Sequence, residues 1–151
     1  MSMRFRYTRF PVRGLVVSLG GRSVRSRPII RVTLIGPSGT HIDRGLLDSG
    51  ADDTVFAEAV AQLLGIDLTN APVGHASGTG LVTAQIRYAE VDLRVTDGRE
   101  FRQWRAWIGF TSTPLKQPLL GFAGFLQYFT ATFYNDLEEV ELTVNSLYPG
   151  T

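Results

Sequence analysis

Short β-favouring runs, each ended within a few residues by glycine, proline or an acidic turn, recur along this chain, and they leave room for little except sheet. Leu15 to Leu19 is a compact apolar run closed by Gly20-Gly21, and Pro28 to Ile35 is β-rich and ends at Gly36-Pro37-Ser38-Gly39. His41 to Leu47 leads into Asp48-Ser49-Gly50. Tyr88 to Val95 alternates, with Ala89, Val91, Leu93 and Val95 on one face and Tyr88, Glu90, Asp92 and Arg94 on the other. Asp97-Gly98 is a two-residue hairpin signal, and the returning strand from Glu100 to Phe110 puts Trp104, Ala106, Ile108 and Phe110 on a common side. Trp104 and Trp107 then fall on opposite faces, one in the core and the other on a cleft or contact surface. A final hairpin, Thr130 to Phe133 with Val140 to Val144, turns at Asn135-Asp136.

Helical signals are few. Phe56 to Leu64 has the composition of a helix, and Gly65 is placed as its stop. A second short helix is expected around Phe122 to Phe129. There is no internal repeat and no linker long enough to divide the chain, so a single all-β domain with one or two short helices is expected. Residues 1–27 read as a basic arm or edge strand, and 28–151 as the main domain.

Composition narrows the chemistry. No stretch approaches the roughly 20 apolar residues that span a bilayer, and the basic start lacks the apolar block of a secretory signal, so a cytoplasmic location is the default expectation. The absence of cysteine removes disulfides and thiolate chemistry, and with only two histidines a structural zinc site is not expected. Neither a cofactor nor a metal is called for. His41 reads as a strand residue and His75 as an exposed loop residue. The net charge is +1, yet eight arginines, from Arg4 to Arg31, precede the first acidic residue, Asp43. Such an arm is able to meet nucleic acid or an anionic membrane, although arginines alternating with Phe5 and Tyr7 also suit an exposed edge strand.

The chemistry concentrates in Gly45-Leu46-Leu47-Asp48-Ser49-Gly50-Ala51-Asp52-Asp53-Thr54-Val55-Phe56. A hydrophobic strand delivers a carboxylate into a turn of small residues, where Ser49 can hydrogen-bond locally and Gly50 permits close approach of a ligand. Taken alone, such a carboxylate is more often a turn or capping residue than a catalyst.

The longer pattern weighs differently. LLDSGADDTVF resembles the active-site loop of retropepsins, the aspartic peptidases of retroviruses and their cellular and bacterial relatives. Downstream, Pro118-Leu119-Leu120-Gly121-Phe122-Ala123-Gly124-Phe125-Leu126 is similar to the apolar-apolar-Gly segment that crosses behind that loop. The Ala-Ser-Gly-Thr-Gly tip, with Ser77, Gly78 and Thr79, lies between the two, where the family places a substrate-covering flap. In order of elements the resemblance runs over residues 28 to 144.

The resemblance implies a retropepsin-like half-barrel that forms a C2 homodimer, with one catalytic aspartate per chain, Asp48. The motif occurs once, so a second carboxylate has to come from another copy, because one group must accept a proton while another gives one. The implied activity is that of an aspartic endopeptidase acting on peptide or protein substrates. Ser49, Gly50, Leu120 and Gly121 would support the site; Gly50, Asp52, Asp53, Ser77, Gly78 and Thr79 would contact substrate. Viral relatives carry arginine after the second motif's glycine, whereas this chain has Phe122, which removes an ionic network and points to a more apolar dimer contact. The alternative to an enzyme is a retropepsin-fold dimerisation or peptide-binding module whose catalysis has lapsed.

Overall fold

A computed structural model describes residues 1–77 and 83–150 of the chain. In order, the strands are β1 (Ser2–Arg6), β2 (Thr8–Val16), β3 (Arg22–Arg27), β4 (Ile29–Gly36), β5 (Gly39–Leu47), β6 (Val55–Ala57), β7 (Val73–Ser77), β8 (Thr83–Thr96), β9 (Phe101–Thr111), β10 (Leu119–Leu120), β11 (Phe129–Tyr134) and β12 (Glu139–Val144). The helix α1 spans Glu58–Leu63, and single 3-10 turns cover Val17–Leu19 and Leu126–Tyr128. Among the described residues no helix is long and apolar enough to cross a membrane.

Seven strands form the main sheet in the order β4-β5-β10-β6-β9-β8-β7, and β4 also pairs with β8 through Thr33–Arg94, Leu34–Leu93 and Ile35–Asp92. The sheet therefore curls until β4 meets β8, with β7 extending beyond the closure on the other part of β8, so that the curled strands bury a common face. The long hairpin β8–β9 turns through Gly98-Arg99, one residue later than the Asp97-Gly98 signal, with Gly98 at φ +91° and the Asp97 amide donating to the Glu100 carbonyl. Its inward residues are those the alternation predicts, Val91, Leu93 and Val95 on one strand and Trp104, Ala106, Ile108 and Phe110 on the other, all buried. Trp104 anchors the far end of the core, its indole N–H donating to the Gly124 carbonyl at 2.9 Å and its ring meeting Phe125 and Phe129 edge-on at 5.2 and 5.3 Å. Trp107 faces outward.

A three-stranded sheet, β1-β12-β11, completes the body; β1 is its edge strand, and Met3 inserts into the common core. Strands β2 and β3 form a separate two-stranded hairpin. Its root is tied to the β11–β12 turn, where Glu138 adopts a left-handed backbone (φ +53°) and its carboxylate accepts hydrogen bonds from Ser26 and Arg9. Those two donors, Ser26 first, hold the Glu138 carboxyl below its ordinary range.

Three expectations change. The β-favouring run Leu15 to Leu19 leaves β2 after Val16 and continues as a 3-10 turn at the exposed tip of the β2–β3 hairpin, only Val16 being buried. The predicted helix from Phe56 starts two residues later, because Val55–Ala57 pairs in parallel with Gly109–Thr111 of β9 and Phe56 becomes fully buried in that strand; Gly65, at φ +73°, follows the end of α1 as expected. The helix expected from Phe122 to Phe129 shrinks to the turn at Leu126–Tyr128, since Gly124 has a left-handed backbone (φ +89°) and Phe125 a non-helical one (φ −136°, ψ −79°).

Candidate active site

Strand β5 carries the chain inward through Gly45 and Leu47, both buried, and releases it at Asp48. Gly45 is required there because a Cβ would stand 2.5 Å from Leu120 Cγ. The two-residue strand β10 is seated between β5, to which it is parallel, and β6, to which it is antiparallel. A segment far along the chain thus forms the backing of the loop. The Leu46 amide donates to Pro118, and the Asp48 amide donates to Leu120 at 3.1 Å.

The loop closes on itself and on this backing. Ala51 N–H donates to the Asp48 carbonyl at 3.1 Å, and Gly50 N–H donates to Asp48 Oδ1 at 2.9 Å. The second bond is an Asx turn, which fixes the orientation of the carboxylate without any charged neighbour. Phe122 and Ala123 amides donate to Ala51 and Asp52 carbonyls, and Thr54 donates both its amide and its hydroxyl to the Ala123 carbonyl. Gly121 lies so close behind the loop that a Cβ would come within 2.2 Å of the Asp53 carbonyl oxygen. Asp48 is half-buried, whereas Ser49, Gly50 and Asp52 are exposed. Among the described residues no ion pair involves Asp48, Asp52 or Asp53, and no three acidic or histidine side chains converge as metal ligands do.

Asp53 turns inward to a partner that sequence reading did not foresee. Its Oδ2 accepts the phenol of Tyr88 on β8 at 2.8 Å. Burial, followed by this bond, pushes the Tyr88 phenol up to about 12. Gly74 on β7 lies against the same ring, a Cβ there falling 2.7 Å from Tyr88 Cε2. Tyr88 therefore connects the β7–β8 hairpin to the Asp48 loop. The available signal was a phenol on a strand face otherwise occupied by Glu90, Asp92 and Arg94. Replacing Tyr88 with Phe removes the donor to a partly shielded carboxylate, and is expected to lower stability on the order of 1.5 kcal/mol. Urea unfolding measures it, and an unchanged midpoint would show that the bond adds nothing in solution.

The other expected substrate contacts divide. Ser77 ends β7 in register with Thr83, while Gly78 and Thr79 lie outside the described residues. Leu120 is buried, and Phe122 is 58% exposed beside the loop. His75, on β7, is exposed, and His41 sits 3.5 Å from Asp43 near the start of β5, the strand that ends at the loop. The prominent concavities of the single chain, one lined by Phe5, Tyr7, Ile30 and Arg44 and another by Arg6, Arg9, Leu137 and Glu138, do not include Asp48.

No protein-family model matches the chain, and no curated protein matches it in sequence. Among solved structures it is similar to the crystal structure of a retropepsin-like aspartic protease from Rickettsia conorii, with a TM-score of 0.52 and 15% sequence identity over 94% of this chain and 92% of that one. At this identity the likeness concerns the fold, and the chain has a retropepsin-like all-β fold.

Proposed function

We propose that this protein is an aspartic endopeptidase that works as a C2 homodimer, with the Asp48 of each copy forming one half of a shared site. The observation that carries the reading is the Asp48-Ser49-Gly50 loop: a carboxylate at the end of a buried strand, oriented by the Gly50 amide, backed by Leu120 and open on its outer side. A single carboxylate cannot both take and give a proton. Two of them across a two-fold axis, about 3 Å apart, cannot both ionise and so share one proton, which is the general behaviour of aspartic proteases. The ionised member takes a proton from a bound water as that water attacks the scissile carbonyl, and the protonated member donates to the carbonyl oxygen. Collapse of the tetrahedral species passes a proton to the leaving amine. The titration belongs to the pair and not to either residue.

In this reading Ser49 ties the two loops together across the axis, Gly50 offers its carbonyl to an extended peptide, and Leu120 and Gly121 hold the loop from behind. Asp52 and Asp53 border the cleft, and Ser77, Gly78 and Thr79 belong to the flap under which the peptide adds as a strand. Phe122 supports the dimer: an exposed aromatic ring beside the loop is apolar surface that a second copy would cover.

The test is stoichiometric. A peptide analogue with a hydroxyl in place of the scissile carbonyl mimics the tetrahedral species and should bind tightly. Calorimetry is expected to find one analogue per two chains, with sedimentation showing a dimer in its presence. One analogue per chain, or tight binding by a protein that stays monomeric, would remove the shared site.

A further inference from the structure

The β2–β3 hairpin takes no part in the proposed site, and its surface is unusual. Among the described residues, strands Thr8–Val16 and Arg22–Arg27 pair only with each other, and the turn between them is closed by the Gly20 amide bonded to Val17 and the Gly21 amide bonded to Val16. Both glycines have left-handed backbones, at φ +69° and +87°, so the turn has a defined shape. Leu15, Val17 and Leu19 project from it with 72%, 92% and 40% of their surface exposed. Around them the charge has one sign. Residues 8–27 hold Arg9, Arg13, Arg22, Arg25 and Arg27 and no acidic residue.

The root of the hairpin is fastened to the body. Thr8 donates to the Ile29 carbonyl, Tyr7 to Asn135, and Ser26 and Arg9 to Glu138. Toward the tip, among the described residues, the one ion pair to the body is Arg22 with Glu138. Arg13, two residues before Leu15, and Arg25 make no ion pair among the described residues, and Arg22, the strand partner of Val16, reaches Glu138 only at 3.9 Å.

Aliphatic side chains at the tip with a cationic collar behind them match an anionic lipid surface, whose acyl boundary takes apolar groups and whose phosphates take guanidinium. Nucleic acid offers phosphates but nothing for Leu15, Val17 and Leu19, and the aromatic ring of this hairpin, Phe10, lies under Arg27 at 6.0 Å instead of standing free to stack on a base. On a second copy of the chain, Glu90 and Asp92 are taken up by Arg105, and Glu139 and Glu141 by Arg4, within the same molecule, while the exposed acids outside the ion pairs, among them Asp52, Asp67 and Asp136, are single carboxylates widely spaced in the sequence. We propose that the β2–β3 hairpin is a membrane-docking finger for anionic phospholipid, in which Leu15, Val17 and Leu19 enter the acyl boundary while Arg13, Arg22 and Arg25 contact lipid phosphates.

Co-sedimentation of the full chain with vesicles tests this. Binding to phosphatidylcholine vesicles containing a minor share of phosphatidylserine is expected to be roughly tenfold or more tighter than to phosphatidylcholine alone. The combined variant Leu15→Ser, Val17→Ser and Leu19→Ser, which alters only exposed side chains, should lose most of that binding while keeping its unfolding midpoint. A Val17→Trp protein should show bromolipid quenching beyond that of the wild type. Equal binding to both vesicle types, or retention by the triple variant, overturns the proposal. So does tighter binding to an RNA oligonucleotide that depends on Arg13 and Arg25 but not on the tip. A change of oligomeric state in the triple variant would assign the tip to a second copy instead. None of these readouts depends on peptide hydrolysis, so the proposal and the peptidase reading stand or fall separately.

Discussion

Asp48→Asn protein is expected to cleave peptides roughly a thousandfold more slowly than wild type, or not at all, while folding and associating as before. Proton transfer by a positioned carboxyl contributes roughly 100- to 10,000-fold to such reactions, and substitution in a homodimer removes both members of the pair at once. The amide preserves the shape of the carboxylate, and its carbonyl oxygen still accepts the Gly50 N–H that holds Oδ1 at 2.9 Å, so the loop keeps its geometry. The wild type should work best on the acidic side of neutrality and lose activity when the shared proton is lost, following the macroscopic titration of the pair. Initial rates across pH for both proteins, with thermal unfolding as a control, measure this. Equal rates for the two would rule Asp48 out as the catalytic group.

Gly121→Ala should have the second large effect, and it separates loop architecture from chemistry. The added methyl would stand 2.2 Å from the Asp53 carbonyl oxygen and 2.7 Å from that of Ala51. Both are backbone atoms, and the Ala51 oxygen already accepts the Phe122 amide, so nothing flexible is available to give way. Overpacking of this kind costs about 1–3 kcal/mol, with the larger value applying where backbone has to move. The strain falls on the residues that support Asp48, so the folded fraction is expected to lose activity more than stability. Urea unfolding and rates normalised to folded protein measure the two effects. An alanine tolerated in both would mean that Leu120 and Gly121 do not brace the loop.

How much of this was readable in the sequence depended on how local each cause was. The β8–β9 hairpin was plain because its information is periodic: Val91, Leu93 and Val95 on one strand, Trp104, Ala106, Ile108 and Phe110 on the other, joined by Asp-Gly. The retropepsin-like fold followed from two short motifs in the right order. The outer limits of the helices did not follow, because Phe56 has helical neighbours in sequence but strand neighbours in space, and pairing with β9 prevails over propensity. The role of Leu15 to Leu19 was hidden for the opposite reason: an apolar run signals burial unless its surroundings are known, and here the hairpin holds it away from the core. The Tyr88–Asp53 bond and the seating of Leu119–Leu120 between two strands are contacts between residues distant in the chain, and no local pattern carries them.

That seating also bears on when the Asp48 loop can take its shape during synthesis. Asp48 leaves the ribosome some seventy residues ahead of its backing: the carbonyl its amide bonds to belongs to Leu120, and the amides that bind Ala51 and Asp52 belong to Phe122 and Ala123. Chains grow from the N-terminus at about 5–20 residues per second. A nascent chain that ends before this segment has its acid but nothing to set it against. In the proposed peptidase, a polypeptide still lacking Leu119 to Ala123 would therefore carry Asp48 on an unbraced loop and would not yet be able to cut its neighbours on the polysome.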